Sequence, residues 1–278
     1  MKTNLPYLLL AFVCVLIADR SIAQTLRSNL SMPYLGLSAY STKQTDPFSF
    51  TGNQAALART NAVGIGVYGE RRFLLAELND YGLAAVLPTK LGNFGLQVNY
   101  SGFKYFSEKK AGLAYARSLG SRVDVGVQFN YYGYSVPEYA AASAINFEAG
   151  AIFHFSGRLN AGVHLYNPVG GKLGKEGDEK LASVYKLGVG YDASDDFYFS
   201  VEIIKEENAP INVTAGIQYR FKKQFFLRAG FRSDNSIGFG GLGFLYKGLR
   251  IDVAASYHPQ LGITPGILLI YNPKKAEK

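Results

Sequence analysis

Long stretches of the chain alternate between apolar residues and polar or small ones, and this pattern limits the possible folds more than any other feature. The clearest stretch runs from Ile211 to Phe221, where every second residue is apolar and the others include Asn212, Gln218 and Arg220. Successive side chains of a β-strand point to opposite faces. The pattern therefore predicts a strand with one apolar face and one polar or small face.

Fourteen segments of the chain show this alternation and are predicted as strands. Two of them are irregular. Asn79-Asp80 interrupts the second segment, and the glycine-rich stretch 236–247 breaks the alternation as a β-bulge would. The predicted bounds are 62–70, 73–87, 92–102, 108–119, 121–133, 143–156, 158–168, 183–193, 197–205, 211–222, 225–233, 236–247, 249–258 and 263–272.

The connections between these segments alternate between short and long from Pro88 onward. Gly120 and Gly157 are examples of the short kind, and 133–142 and 168–182 of the long kind. Transmembrane β-barrels have short periplasmic turns and longer outer loops, whereas a sandwich or a propeller does not require this parity. The first connection, Arg71-Arg72, falls on the side of the longer loops and is too short for that side.

The predicted polar face is rich in Gly, Ala, Ser, Asn and Gln, while Lys and Glu concentrate at strand ends and in loops. An outer face free of mid-strand charge is what lipid requires. A soluble all-β protein with an aromatic core is the alternative. We predict a transmembrane antiparallel β-barrel of about fourteen strands over residues 61–272, with a short periplasmic tail at 273–278.

The N-terminus has the pattern of a secretory signal peptide, residues 1–23. Lys2 precedes the apolar stretch 8–18, and Ser21-Ile22-Ala23 fits a cleavage site. An uncleaved anchor is the alternative, although the apolar stretch is short for one. The single cysteine, Cys14, lies in this segment, so disulfides, structural zinc and a cysteine nucleophile are not expected.

Residues 24–60 precede the first predicted strand and are irregular. Their apolar side chains need burial, which favours a plug in the barrel lumen over a flexible periplasmic arm. Asn53, Gln54 and Leu57 are the predicted plug residues. The apolar side chains are Leu35, Leu37, Tyr40, Phe48 and Phe50.

No motif for catalysis, metal binding or nucleotide binding stands out, so we expect no enzyme, metal or cofactor. Folding the strands about Gly157 places His164 opposite Gly150 and diagonal to Glu148. A catalytic site would need further converging groups, such as a serine beside His164 in a phospholipase-like arrangement. Polar lining of the lumen is the preferred interpretation, with Glu148, His154, His164, Gln218 and Arg220 as candidates.

The formal net charge is +8, but the basic residues are scattered rather than grouped in a stripe. Nucleic acid is therefore not an expected partner. A solvated surface with some bias toward anionic partners fits better.

Three short motifs resemble those of the FadL-like outer-membrane barrels of Gram-negative bacteria, especially their PorV/PorQ branch. They are Gly52-Asn53-Gln54-Ala55-Ala56-Leu57-Ala58, Leu227-Arg228-Ala229-Gly230-Phe231-Arg232 and Gly248-Leu249-Arg250-Ile251-Asp252-Val253. Gln54 stands where the family usually has proline. The resemblance implies a fourteen-stranded barrel in the outer membrane, and either a fatty-acid channel or a component of type IX secretion.

Two main functions remain open. A PorV/PorQ-like barrel would dock secreted cargo or a secretion-system protein through its outer loops. A FadL-like barrel would instead pass a hydrophobic small molecule, with Ile152 lining the path, and a plain pore is a third possibility. Because inward positions are mostly small or polar, docking is favoured. Its candidate loop residues are Tyr134, Pro137, Tyr139, Lys172, Lys175 and Glu176.

Overall fold

A computed structural model of the chain describes residues 35–138, 140–173 and 179–273. Fourteen antiparallel strands form a closed barrel in which each barrel strand pairs with the next one along the chain and the last pairs with the first. A separate two-stranded sheet occurs in the connection between the seventh and eighth barrel strands. No helix in the described ranges has the length and apolar character needed to cross a membrane.

The predicted fold class is confirmed, and each predicted segment overlaps one barrel strand. The strands are β1 Gly64–Arg71, β2 Asn79–Thr89, β3 Gly92–Phe103, β4 Phe106–Ser118, β5 Val123–Val136, β6 Ala140–His154, β7 Leu159–Tyr166, β8 Lys172–Leu173, β9 Glu179–Lys180, β10 Val184–Asp192, β11 Phe197–Glu206, β12 Asn212–Phe221, β13 Phe225–Arg232, β14 Ile237–Tyr246, β15 Leu249–His258 and β16 Gly262–Tyr271. Short helical turns occur at Leu37–Tyr40, Ser49–Gly52, Gln54–Arg59, Arg72–Leu74, Ala76–Leu78 and Asp234–Ser236.

The barrel is inverted relative to a soluble protein, with large apolar side chains outside and polar ones inside. Leu113 and Phe129 are 60% and 64% exposed on the outer face. Gln128 and Gln218, on the inner face, are buried. Because only a lipid environment makes such an apolar exterior stable, the alternation marks the transmembrane surface. Closure leaves no unpaired strand edge for lipid to contact.

Three predicted details are wrong. The first connection is long rather than short, because β1 ends at Arg71 and residues 72–78 form two helical turns before β2 begins. The strand β14 pairs in continuous register with both neighbours, so its glycines form no bulge. The predicted loop 133–142 belongs mostly to strands, because β5 continues to Val136 and β6 begins at Ala140.

The β5–β6 hairpin extends past the neighbouring strand β7. The last pair between β6 and β7 is Glu148 with Tyr166, so residues 140–147 of β6 lie beyond it. A small apolar cluster covers the inner side of this extension. It contains Tyr132, Tyr134, Ala142, Ala144, Leu173 and Leu181. We refer to it as the outer cap.

Several predictions lie outside the described residues. These are the signal peptide, the tail beyond Pro273, and the loop residues Tyr139, Lys175 and Glu176. Lys172 belongs to the short strand β8.

Candidate functional site: the barrel lumen

Residues 35–60, which we name the inner segment, run along the inner face of the barrel. All five apolar residues predicted to need burial are buried there, each at most 6% exposed. They are Leu35, Leu37, Tyr40, Phe48 and Phe50. The segment enters β1 at the end that carries the short turns, and its contacts lie in that half of the barrel.

Inward glycines of the barrel make room for the inner segment. A Cβ atom on Gly126 of β5 would lie 2.5 Å from the carbonyl carbon of Gln54, so only glycine fits against this backbone. At Gly188 of β10, a Cβ atom would collide with the ring of Tyr40. Other glycines that closely approach the segment are Gly66, Gly95, Gly150, Gly162, Gly190 and Gly216.

One side of the lumen is polar and centres on Glu148 of β6. Its carboxylate accepts hydrogen bonds from Lys110 Nζ at 2.7 Å and Asn130 Nδ2 at 2.9 Å. His164 Nε2 lies 3.0 Å from the same carboxylate. Gln54 of the inner segment donates to it from Nε2 at 2.6 Å. We name the strands β4–β7 around this network the polar wall.

The structure confirms that Gly150 and His164 face each other, and it brings Glu148 to His164. Sequence reasoning missed Lys110, which is buried and completes the ion pair at the centre of the network. One signal was available, because Lys110 occupies an inward position in the middle of an alternating strand. A buried charge at such a position requires a partner.

Asn53 fixes the inner segment to the same side of the barrel. Its Nδ2 donates to the carbonyl oxygen of Val163 at 3.0 Å, and its Oδ1 accepts from the backbone N–H of Ala55 at 3.0 Å. The second bond caps the helical turn Gln54–Arg59. The turn ends beside Asn93, which donates to the carbonyl oxygen of Leu57 at 2.7 Å.

A second buried ionic cluster joins the inner segment to β13 and β15. Arg250 donates to Asp46 of the inner segment at 2.8 Å, and Arg228 donates to Asp252 at 2.6 Å. Arg228 also donates to Gln218, which in turn donates to Gln44 at 2.6 Å. The predicted lumen residue Gln218 therefore belongs to a network whose charged members were not singled out from the sequence.

Apolar side chains gather on the opposite side of the lumen, next to the buried charges of Arg250 and Asp252. They belong to β1, β2 and β14–β16 and pack on the inner segment, and we name these side chains the apolar wall. Phe48 meets Tyr68 edge-on with ring centroids 5.7 Å apart. Most inward positions of these strands are small or polar, as expected, and the large apolar side chains Tyr68, Val86, Phe239, Leu268 and Ile270 are the exceptions. The cluster comprises Tyr68, Ala84, Val86, Phe239, Ala254, Leu268 and Ile270, together with Ala114 and Ala116 of β4, Tyr198 of β11, and Leu35, Leu37, Phe48, Phe50 and Leu57 of the inner segment.

Two predicted lumen residues lie near the short-turn end. His154 Nε2 is 2.7 Å from Asp124, which also accepts from Arg59 of the inner segment at 2.6 Å. Arg220 is partly exposed and pairs with Asp196 at 2.8 Å. Ile152, the predicted lining residue, is buried against the inner segment.

Two titratable residues of the inner segment contact barrel carboxylates. Tyr40 donates to Glu202 at 2.8 Å, and burial, together with that carboxylate, raises the pKa of Tyr40 well above its ordinary value. Tyr40 is therefore a neutral donor at physiological pH. Lys43 pairs with Asp195 at 2.8 Å on the surface. This contact raises the pKa of Lys43 and lowers the pKa of Asp195.

The candidate docking residues within the described ranges lie at the other end of the barrel. Tyr134 packs on the outer cap, and Pro137 is exposed at the tip of the β5–β6 hairpin. In the part of the chain that the structure describes, no group of three or more His, Cys, Asp or Glu residues could hold a metal ion.

Solved structures with a similar fold include a transporter, a channel and a FadL homologue. The toluene transporter TodX of Pseudomonas putida is similar with a TM-score of 0.61 and 10% sequence identity, over 87% of this chain and 99% of that chain. The CymD monoaromatic hydrocarbon channel has a TM-score of 0.58 and 12% sequence identity, over 87% of this chain and 96% of that chain. A FadL homologue of Pseudomonas aeruginosa has a TM-score of 0.52 and 11% sequence identity, over 86% of this chain and 96% of that chain. These TM-scores show a shared barrel fold.

No family model and no curated protein matches the chain.

Proposed function

We propose that this chain is a non-enzymatic outer-membrane channel for hydrophobic small molecules, and that the inner segment is its plug. The observation that carries the proposal is the apolar wall. Inward side chains such as Leu268 and Ile270 are buried, and they form one apolar cluster with Tyr68, Val86 and Phe239. An apolar surface beside a few placed polar groups is typical of a site for hydrophobic ligands.

The position of the inner segment supports the plug role. It covers the apolar wall with Phe48 and Phe50 and contacts the polar wall through Gln54. Both contacts lie in the half of the lumen next to the short turns, which is the periplasmic half in barrels of this kind. The shared fold with hydrocarbon channels supports the same substrate class.

A tryptophan reporter tests this proposal, because the chain contains no tryptophan. Phe239→Trp places the reporter on the apolar wall, and Phe129→Trp, on the lipid-facing surface, is the matched control. The purified barrel is titrated with bromobenzene or a dibrominated fatty acid, both of which quench tryptophan. We expect saturable quenching of the Phe239→Trp reporter, and quenching of the control that only follows partition into detergent. Equal, unsaturated quenching of both reporters would contradict the proposal.

A PorV/PorQ-like docking role is the second candidate, and the outer cap is the observation that favours it. The β5–β6 hairpin extends past β7 and packs on Leu173 and Leu181, and such a packed element is suited to contacting another protein. The candidate contacts are Tyr134, Pro137 and Lys172, with Tyr139, Lys175 and Glu176 beyond the described residues. Affinity capture from native outer membranes tests it, and failure to enrich a secretion component counts against it.

A further inference from the structure

The two ends of the barrel differ in charge. A set of exposed lysines and arginines surrounds the short-turn end, and we name it the basic rim. The exposed acidic residues of the turns at this end, Asp195 and Asp196, already pair with Lys43 and Arg220. The basic rim consists of Lys90, Arg117, Arg122, Arg158, Lys222, Lys223 and Lys247.

No member of the basic rim forms an ion pair with the residues that the structure describes. At the opposite end, by contrast, basic and acidic residues are mixed. Arg71, Lys104, Lys109 and Lys205 share that end with Glu77, Glu138, Glu206, Glu207 and Asp234. Among the described residues, the net positive charge is thus concentrated at the short-turn end, where acidic neighbours are scarce.

The basic rim lies directly over a belt of outward aromatic side chains. Lys222 Nζ is 5.3 Å from the ring centroid of Phe221, and Lys247 Nζ is 5.2 Å from that of Tyr246. Both rings are exposed on the outer face. Aromatic belts of membrane barrels mark the level of the lipid headgroups. Further aromatic pairs at this end are Phe94–Tyr115, Tyr191–Phe199, Phe197–Tyr219 and Phe225–Phe244.

Three lysines of the basic rim occupy turn positions whose backbone angles favour other residue types. Lys222, Lys223 and Lys247 have positive φ angles of 49°, 58° and 48°. Tight hairpin turns with such angles favour glycine or asparagine, because these residues tolerate the left-handed region. Lysine at these positions accepts backbone strain and supplies a long cationic side chain that can reach the headgroup level.

We propose that the basic rim binds the phosphate groups of anionic phospholipids in the leaflet at the short-turn end. Lysine and arginine donate charge-assisted hydrogen bonds to phosphate oxygens, and basic residues at a membrane surface attract anionic lipid. The rim surrounds the perimeter above lipid-facing rings, so it faces lipid rather than a protein docked on the barrel axis. This site is independent of what passes through the lumen.

Lipid selectivity in reconstituted vesicles tests the proposal. The mature full-length barrel is placed in phosphatidylcholine vesicles with spin-labelled phosphatidylglycerol or spin-labelled phosphatidylcholine, and the lipid fraction immobilised by protein is measured. We expect a preference for phosphatidylglycerol that 1 M salt removes, because the Debye length falls to about 3 Å. Each removed charge weakens the association by up to about fivefold, so the triple variant Lys222→Gln, Lys223→Gln, Lys247→Gln loses most of the preference.

The matched control is Arg71→Gln, Lys104→Gln, Lys109→Gln, which changes the net charge equally at the other end and keeps the preference. Should the rim triple variant fail to fold, as judged by heat-modifiable gel mobility, Arg122→Gln with Arg158→Gln probes two other turns. The proposal is overturned if the wild-type barrel treats both lipids alike. It is equally overturned if the control variant loses as much selectivity as the rim variant.

Discussion

The polar wall and the apolar wall hold the same inner segment by different physical means. On the polar wall, Gln54 and Asn53 engage directional hydrogen bonds around Glu148 and the carbonyl oxygen of Val163. On the apolar wall, Phe48 and Phe50 pack without directional bonds. Hydrogen bonds have narrow geometry, whereas apolar contact is non-directional. The polar wall thus fixes the position of the segment, and the apolar wall supplies surface that a hydrophobic ligand can also use.

The largest expected effect comes from breaking the polar wall at its centre. Glu148→Leu leaves the buried Lys110 ammonium without its carboxylate, and removing one partner of a buried ion pair costs about 3–5 kcal/mol. We expect that loss in the free energy of unfolding, measured by denaturant titration of the barrel in lipid. Glu148→Gln, which keeps the shape and an acceptor, should lose less. A Glu148→Leu barrel as stable as wild type would mean that Lys110 is not held by this carboxylate.

An intermediate effect is expected from replacing glycines that contact the inner segment, and its size depends on whether the glycine meets backbone or a side chain. Gly126→Ala pushes a Cβ atom into the backbone of Gln54, which cannot move alone, whereas Gly66→Ala meets the ring of Phe48, which can tilt. We expect Gly126→Ala to lower the free energy of unfolding by about 1–3 kcal/mol, and Gly66→Ala to lower it less. The measurement is protease sensitivity of the inner segment in the folded barrel.

The control for this pair is Gly238→Ala, because a Cβ atom at Gly238 meets nothing within 4 Å. It should leave protease sensitivity unchanged. Equal sensitivity of Gly126→Ala and Gly66→Ala would remove the distinction between a rigid and a yielding contact.

The smallest effect is expected at Lys43, where the inner segment leaves both walls and meets Asp195 in solvent. Exposed ion pairs contribute little and are screened by salt. Because Lys43 lowers the pKa of Asp195, the contribution is present above the ordinary pKa of this carboxyl, near 4, and is lost as the pH falls through the lowered value. Lys43→Gln should match wild type in protease sensitivity at pH 7 and high salt. A large difference under these conditions would mean that the Lys43–Asp195 pair anchors the inner segment.

Most of the barrel was predictable because its signal is local. An alternation of period two along 211–221 is enough to identify β12 and to say which side chains share a face. The pairing of Gly150 with His164 followed from the short turn at Gly157 and was confirmed. The bulge predicted in β14 was wrong, because small residues blur the alternation without interrupting the hydrogen-bonded register.

The lumen was predictable only in part. Glu148 and His164 are neighbours across one turn, so their contact follows from sequence. Asp46 and Arg250 meet across a large part of the chain, and no local pattern links them. The same holds for the apolar wall, whose inward residues are spread over strands from both ends of the barrel sequence.

The sequence by itself determined the number of strands and which side chains face into or out of the barrel. Side-chain direction in a strand depends only on whether the residue is at an odd or even position. Only the tertiary structure decided which side chains meet inside the barrel. Closing β1 onto β16 brings Tyr68 beside Leu268 and Ile270 and forms the apolar wall. Folding the inner segment into the lumen then places Gln54 on Glu148 and Asp46 on Arg250. These contacts depend on closure in three dimensions, which parity along the chain does not encode.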